Sequence, residues 1–238
     1  MSIAGSHHDI IDTILQDLDF PKLYRSYTWK EDTWKRGFPD LFRLEQEISQ
    51  AARRRSIRKD HLLALAKWGG LRNTKRIACP GSIRINLYHR GSPAPWLLRD
   101  PAKAIDLLDI QIIGFGPTYS SKVLHFAVPQ VFGALDTRLV RTFGRGDEAS
   151  QRYPLLNLKV TRTGPSWAVY SQQPGWPEEY GTWTYALNLM AGSLNDQKIP
   201  CPHPKKFVQA DLREKGIWLP ADVETALFSY ASHETRKK

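Results

Sequence analysis

Cysteine is scarce in this chain of 238 residues: there are two, Cys79 and Cys201, each followed by proline. Two thiols cannot furnish a four-cysteine iron–sulfur cluster, and so few suit a reduced, cytoplasmic protein of bacterial type. The seven histidines show no ligand spacing apart from the adjacent His7 and His8, so no metal and no cofactor are expected. No stretch reaches the roughly 18 consecutive apolar residues that a membrane span needs. The opening MSIAGSHHDIID has neither a basic nor an apolar leader region, so no secretory signal is expected. Internal repeats and low-complexity tracts are absent too. Acidic residues are outnumbered, 24 against 34 Lys and Arg, which leaves a net charge of +10. That excess implies attraction to polyanions and says nothing about the fold. The length suits one or two domains.

Helical periodicity accounts for most of the chain. Ile10, Ile11, Ile14, Leu15 and Leu18 predict a helix over 6–18, stopped by Pro21. Residues 22–39 interleave Tyr24, Tyr27, Trp29, Trp34 and Phe38 with five cations. Such a segment suits either nucleotide stacking or docking of its aromatics on the core. Further helices are predicted over 40–55, over 56–68 with Ser56 as N-cap, and over 96–108 with an interruption near Pro101. Residues 71–91 read as a basic irregular loop. Strands are predicted over 155–160 and 166–170, joined by the turn Thr163-Gly164-Pro165. Helices over 177–195 and 221–232 follow, separated by a polar, Pro- and Lys-rich segment, 196–216, that reads as flexible. The final residues, 233–238, are expected to fray.

The most informative stretch is 105–144. An apolar helical run ends in Gly114-Phe115-Gly116, a tight turn open to close backbone approach. Pro117 then suits the first position of a second helix, which carries Tyr119, Lys122, Val123 and Phe126. An apolar link, 128–135, ends on Asp136, a natural N-cap for a helix over 137–143. Amides freed at such a turn and helix start bind anions, phosphate above all. Arg138, Arg141 and Arg145 follow at spacings that place them on one helical face.

This stretch resembles the helix-hairpin-helix superfamily of DNA glycosylases, whose Leu-Pro-Gly-Val-Gly hairpin grips a DNA phosphate ahead of a catalytic Asp. Gly114-Phe115-Gly116 matches the Gly-hydrophobic-Gly core, with Ile113 in place of the proline. Asp136-Thr137-Arg138-Leu139-Val140 matches the segment that begins with the catalytic Asp. The resemblance implies a mainly α, two-lobed glycosylase architecture over residues 1–238, here with a small β-hairpin near 155–170. The missing iron–sulfur cluster and the hairpin place it closer to the oxoguanine glycosylase branch than to the endonuclease-III-type branch. It implies a monomeric, nucleoid-associated enzyme acting on double-stranded DNA. Gly114, Phe115, Gly116, Thr118 and Arg138 would bind that DNA. Asn86 or Tyr88 would fill the gap left by a flipped base.

The chemistry follows from the residues at the motif. Breaking a C–N glycosidic bond needs a flipped base and a negative charge beside a cationic sugar, which Asp136 supplies while also capping its helix. Bifunctional members carry a lysine where this chain has Thr118, so a monofunctional enzyme that leaves an abasic site is expected. Lys122, one helical turn on, is either a substitute amine nucleophile or a phosphate-binding or structural residue. His125 reads as a satisfied core or surface histidine rather than a general base, and Ser120 and Ser121 as residues that help phosphate or pack rather than act as nucleophiles. The substrate expected is an oxidised purine or a phage-type hypermodified base such as glucosylated hydroxymethylcytosine, in repair or in antiviral defence. The alternatives are a glycosylase with lyase activity through Lys122 and an inactive DNA-binding module.

Overall fold

A computed structural model describes residues 5–164 and 166–236. Among the described residues, eleven α-helices, two single-turn 3-10 helices (Trp34–Arg36 and Thr74–Arg76) and three small antiparallel hairpins make up the regular structure, so the chain is mainly α. The N-terminal part holds α1 (Gly5–Asp17), α2 (Phe20–Ser26), α3 (Pro39–Arg53) and α4 (Lys59–Gly69). Pro21 opens α2 within its first turn, with the Asp19 side chain accepting from the Lys22 amide at 3.0 Å. Ser56 is not the cap of α4. Its amide and hydroxyl both donate to Ala51 O, closing α3, and Arg58 caps α4 with its own amide donating to His61 Nδ1.

Most aromatics of 22–39 turn inward. Tyr24, Tyr27 and Phe38 are buried, and the Trp34 indole donates to Pro202 O at 2.6 Å. Core docking therefore prevails over an exposed stacking strip. The hairpin of β1 (Thr28–Trp29) and β2 (Asp32–Thr33) leaves Trp29 partly exposed.

After a second hairpin, β3 (Tyr88–His89) with β4 (Ser92–Pro93), come α5 (Trp96–Arg99) and α6 (Pro101–Gln111). Asp100 separates these two helices and caps the second through the Lys103 amide. Then follow α7 (Pro117–Ala127) and α8 (Thr137–Phe143). Among the residues of α7, all from Ser120 to Ala127 are buried, so this helix runs through the centre of one continuous apolar core.

The third hairpin is shorter than the sequence pattern suggests: β5 is Thr161–Thr163 and β6 is Ser166–Ala168. Residues 155–160 are extended and apolar but form no strand of that hairpin. Leu155, Leu156, Leu158 and Val160 are buried, and the backbone zips onto the end of α8 through Leu156 N to Phe143 O and Arg145 N to Leu158 O. Pro165 of the expected turn lies outside the described residues.

The C-terminal part contains α9 (Glu178–Asp196), α10 (Lys205–Gln209) and α11 (Pro220–Arg236). The segment 196–216 is not a loose linker. Cys201 N donates to Gly216 O at 2.9 Å, and the Arg213 side chain is buried between Glu45 and Asp222, bonding both carboxylates. Residues 233–236 remain helical, contrary to the expected fraying, while Lys237 and Lys238 lie outside the described residues. α11 packs against α2, α8 and α9 and so brings the C-terminal part onto the 105–144 stretch.

Candidate active site

The turn before α7 is shaped by a loop far from it in sequence. Ala78 and Ile113 exchange two backbone hydrogen bonds, Ala78 N to Ile113 O at 3.1 Å and Ile113 N to Ala78 O at 2.8 Å. At Gly114 the chain takes a φ of +88°, and a Cβ there would stand 2.7 Å from Arg76 O. Only glycine meets both conditions. A Cβ at Gly116 would meet nothing within 4 Å, so the backbone there is open to approach. Phe115 packs its ring against Tyr119, centroids 5.3 Å apart. The same docking brings the exposed Lys75 and Arg76 beside the turn, a pairing no local sequence pattern announces.

Asp136 caps α8 with one oxygen. Its Oδ1 accepts from the amides of Arg138 (2.9 Å) and Leu139 (3.2 Å). Oδ2 lies 4.0 Å from Lys122 Nζ. Lys122 is only 8% exposed, and its ammonium sits over the rings of Trp68 and Tyr119, at 5.8 Å and 5.5 Å, a favourable environment for a cation. Burial pushes the Tyr119 phenol up to about 12, helped by the Asp136 charge, so it is a neutral donor that holds Gly69 O at 3.0 Å.

Two spaces meet at this pair. The outer one is a cleft of about 390 Å³ lined by Trp29, Gly116, Thr118, Lys122, Asp136 and Arg138, with Trp167 of β6 on its wall. The inner one is a nearly filled chamber of about 20 Å³, walled by Tyr27, Trp68, Phe126 and Phe228 and backed by His125 and Glu224. Trp29, Lys122 and Asp136 face both. The structure thus brings Gly116, Thr118, Lys122, Asp136 and Arg138 to one cleft.

Other expectations need correction. Arg138, Arg141 and Arg145 do not form one basic face, because α8 ends at Phe143 and the first two turn to different partners. Arg138 stacks over Trp29 and Phe228, 5.2 Å from each ring, and donates to Ser232. Arg141 pairs with Asp147 at 2.6 Å and lies over Trp167. Tyr88 is no gap filler: it is buried, donates to Ala127 O at 2.8 Å and is covered by Arg53. Asn86 remains exposed. Ser120 and Ser121 are packing groups, bonded to Asp109 at 2.5 Å and to the backbone of Leu135. His125 is buried beside Glu224, at 3.2 Å.

Sequence reasoning missed Glu224, Phe228, Trp68 and Trp167 at these walls. Phe228 and Glu224 are one helical turn apart, a spacing visible in the sequence, but α11 reads there as ordinary core helix.

One group of metal-type side chains exists among the described residues, Cys201, His203 and Asp222. Its chemistry does not suit a metal. The Arg213 guanidinium occupies both Asp222 oxygens and would repel a dication. Burial also drives the Cys201 thiol far above its usual range, away from the thiolate a metal needs. The chain matches no protein-family model, no curated protein and no solved structure.

Proposed function

We propose that this protein is a DNA glycosylase of two-lobed helix-hairpin-helix architecture that excises a modified base and leaves an abasic site. The observation that carries the reading is the juxtaposition of a glycine turn open to phosphate with Asp136 and Lys122 on one cleft. The turn precedes a helix N-terminus, the setting in which backbone amides hold phosphate. Lys75, Arg76 and the net charge of +10 add attraction for double-stranded DNA. Asp136 Oδ2 supplies a negative charge beside a cationic sugar, where preorganised charge lowers the barrier most.

Thr118 lines the cleft where related enzymes carry their lysine, and its hydroxyl cannot form a Schiff base. That favours hydrolysis to an abasic site over lyase chemistry. The cleft volume of about 390 Å³ falls within the range of small-molecule sites, roughly 300–1,000 Å³. That volume admits an extruded base, and the substrate in this reading is an oxidised purine or a phage-type hypermodified base such as glucosylated hydroxymethylcytosine. A second reading, glycosylase with lyase activity, is favoured by Lys122, whose amine faces the same cleft. Loss of catalysis with retained DNA binding is a third.

The test is a screen of duplexes carrying oxidised, alkylated, deaminated or glucosylated bases, followed by alkali. Strand breaks that disappear in Asp136→Asn establish the enzyme. Duplex binding without breaks on any substrate leaves a binding module. No duplex binding rejects all three readings.

A further inference from the structure

Behind Asp136 lies the inner chamber, separate from the cleft that faces the glycine turn. The chamber's free volume of about 20 Å³ cannot take a nucleobase, but it exceeds the minimum of about 10–15 Å³ that a single water with two to four polar partners requires. Charged and titratable side chains reach the chamber from both sides, Lys122 and Asp136 at its mouth and His125 and Glu224 behind, while Thr225, also on its wall, donates its hydroxyl to Ala221 O.

The last two are tied in an instructive way. His125 Nδ1 lies 3.2 Å from Glu224 Oε2 and 3.3 Å from the Ala134 amide nitrogen. One ring nitrogen cannot donate to the first and accept from the second at once. With a proton on Nδ1, the imidazole supports a Glu224 carboxylate. Without one, its single lone pair accepts either from the Ala134 amide or from a protonated Glu224 carboxyl, one at a time. Two proton placements are therefore built into one contact. Asp136, by contrast, has Oδ1 engaged by the α8 cap and Oδ2 facing a cation.

We propose that Glu224, oriented by His125, is the catalytic base that takes a proton from a water held in this chamber as that water attacks the sugar. The inference rests on the glycosylase reading. In the step, the bond from C1′ to the base nitrogen breaks and its electron pair leaves with the base. Water oxygen forms the new bond to C1′, one water proton passes to Glu224, and the departing base nitrogen takes a proton from solvent. Asp136 stabilises the cationic sugar and Glu224 handles the proton, so the two carboxyl groups divide the work.

The surroundings fit that division. Burial raises the pKa of Glu224, His125 offsets part of the rise, Asp136 adds to it and Lys122 opposes it. The net effect is a carboxyl whose pKa lies above that of an exposed one, the direction in which a carboxylate is tuned for general-base work. Tyr27 and Tyr180, which also face it, are held neutral by burial.

The test needs no knowledge of the excised base. One duplex carries a pyrrolidine abasic nucleotide, cationic where the sugar becomes cationic; a second carries the neutral tetrahydrofuran analogue. Calorimetry in buffers of different ionisation enthalpy measures affinity and proton release from acid to neutral pH. The wild type is expected to prefer the pyrrolidine duplex, to prefer it more as pH rises, and to release a proton on binding it. Glu224→Gln should lose both the proton release and the pH dependence while binding the neutral duplex as the wild type does. That last affinity, with the thermal midpoint, reports an intact fold. His125→Gln keeps the carboxyl and should move the proton release to higher pH. Unchanged proton release in Glu224→Gln, or an unmoved profile in His125→Gln, overturns the assignment. No preference of the wild type for the cationic duplex overturns the glycosylase reading and this inference with it.

Discussion

Asp136 faces Lys122 across 4.0 Å with one carboxylate oxygen while its other oxygen holds two amides at the start of α8. A single side chain thus anchors a helix and presents charge to a cleft, and substitutions can separate the two roles. Asparagine caps helices about as well as aspartate, whereas alanine costs about 1 kcal/mol. Asp136→Asn should therefore keep the helix cap, lose only the pairing of Oδ2 with the buried Lys122 ammonium, still bind duplex DNA, and release base at least about 10²-fold more slowly. Asp136→Ala should add a drop in thermal midpoint. Equal base release by the wild type and Asp136→Asn would remove Asp136 from the chemistry.

Lys122 should not form a covalent intermediate. Borohydride added during turnover is expected to trap no protein–DNA adduct, and Lys122→Ala should slow release or weaken binding without changing the abasic product. An adduct in the wild type that vanishes in Lys122→Ala would show lyase chemistry through Lys122 and overturn the monofunctional reading.

The two glycines of the turn should respond differently. Gly114→Ala meets both a positive φ and Arg76 O at 2.7 Å, so it should cost about 1–3 kcal/mol of stability and shift the 74–78 loop. Gly116→Ala has open space and a negative φ. It should leave the thermal midpoint within about 0.5 kcal/mol of wild type while weakening duplex binding by obstructing the phosphate. Equal stability losses in both variants would contradict this account of the turn.

Duplex affinity should fall steeply with salt, and Lys75 and Arg76 should account for part of the slope. Each change to alanine is expected to reduce the slope of log affinity against log salt by about 1, with similar effect on all sequences. Titrations at several salt concentrations measure this directly; an unchanged slope would place both cations away from the DNA.

Acid should loosen the C-terminal part through Asp222. Burial alone would raise its pKa, but the Arg213 guanidinium and His203 outweigh that and hold it at about 2. A carboxylate depressed on folding contributes stability above its unfolded pKa and loses it as pH falls through the folded value. The contribution, about 2 kcal/mol, should be complete above roughly pH 4 and gone near pH 2. Arg213→Met should cost about 3–5 kcal/mol by stranding Glu45 and Asp222. Chemical denaturation across that pH range, comparing wild type with Asp222→Asn, isolates the effect.

Helices were legible where apolar spacing was regular, as in α3, α9 and α11, because a 3.6-residue period survives without knowledge of partners. Asp136 and the glycine turn were legible because capping and positive φ restrict residue type. The ends of α4 and β5 were not, because backbone partners outside the local pattern decided them: Ser56 is recruited by Ala51 O, and residues 155–160 by the end of α8. Segment 196–216 looked loose since its anchor is one arginine paired across the fold with Glu45 and Asp222. The chamber was invisible for the same reason, its walls being individually ordinary core residues.

Those walls come from Tyr27 and Trp29, Trp68, the 122–136 stretch, and Glu224 to Phe228. Contacts at such separation in sequence form slowly, since long loops must close before they are rewarded. The chamber is therefore a property of the completed tertiary structure, and a partly folded chain with all its helices would still lack it. During refolding, helical circular dichroism should recover before the fluorescence of Trp29 and Trp68 reaches its native value. Catalytic competence should follow the fluorescence.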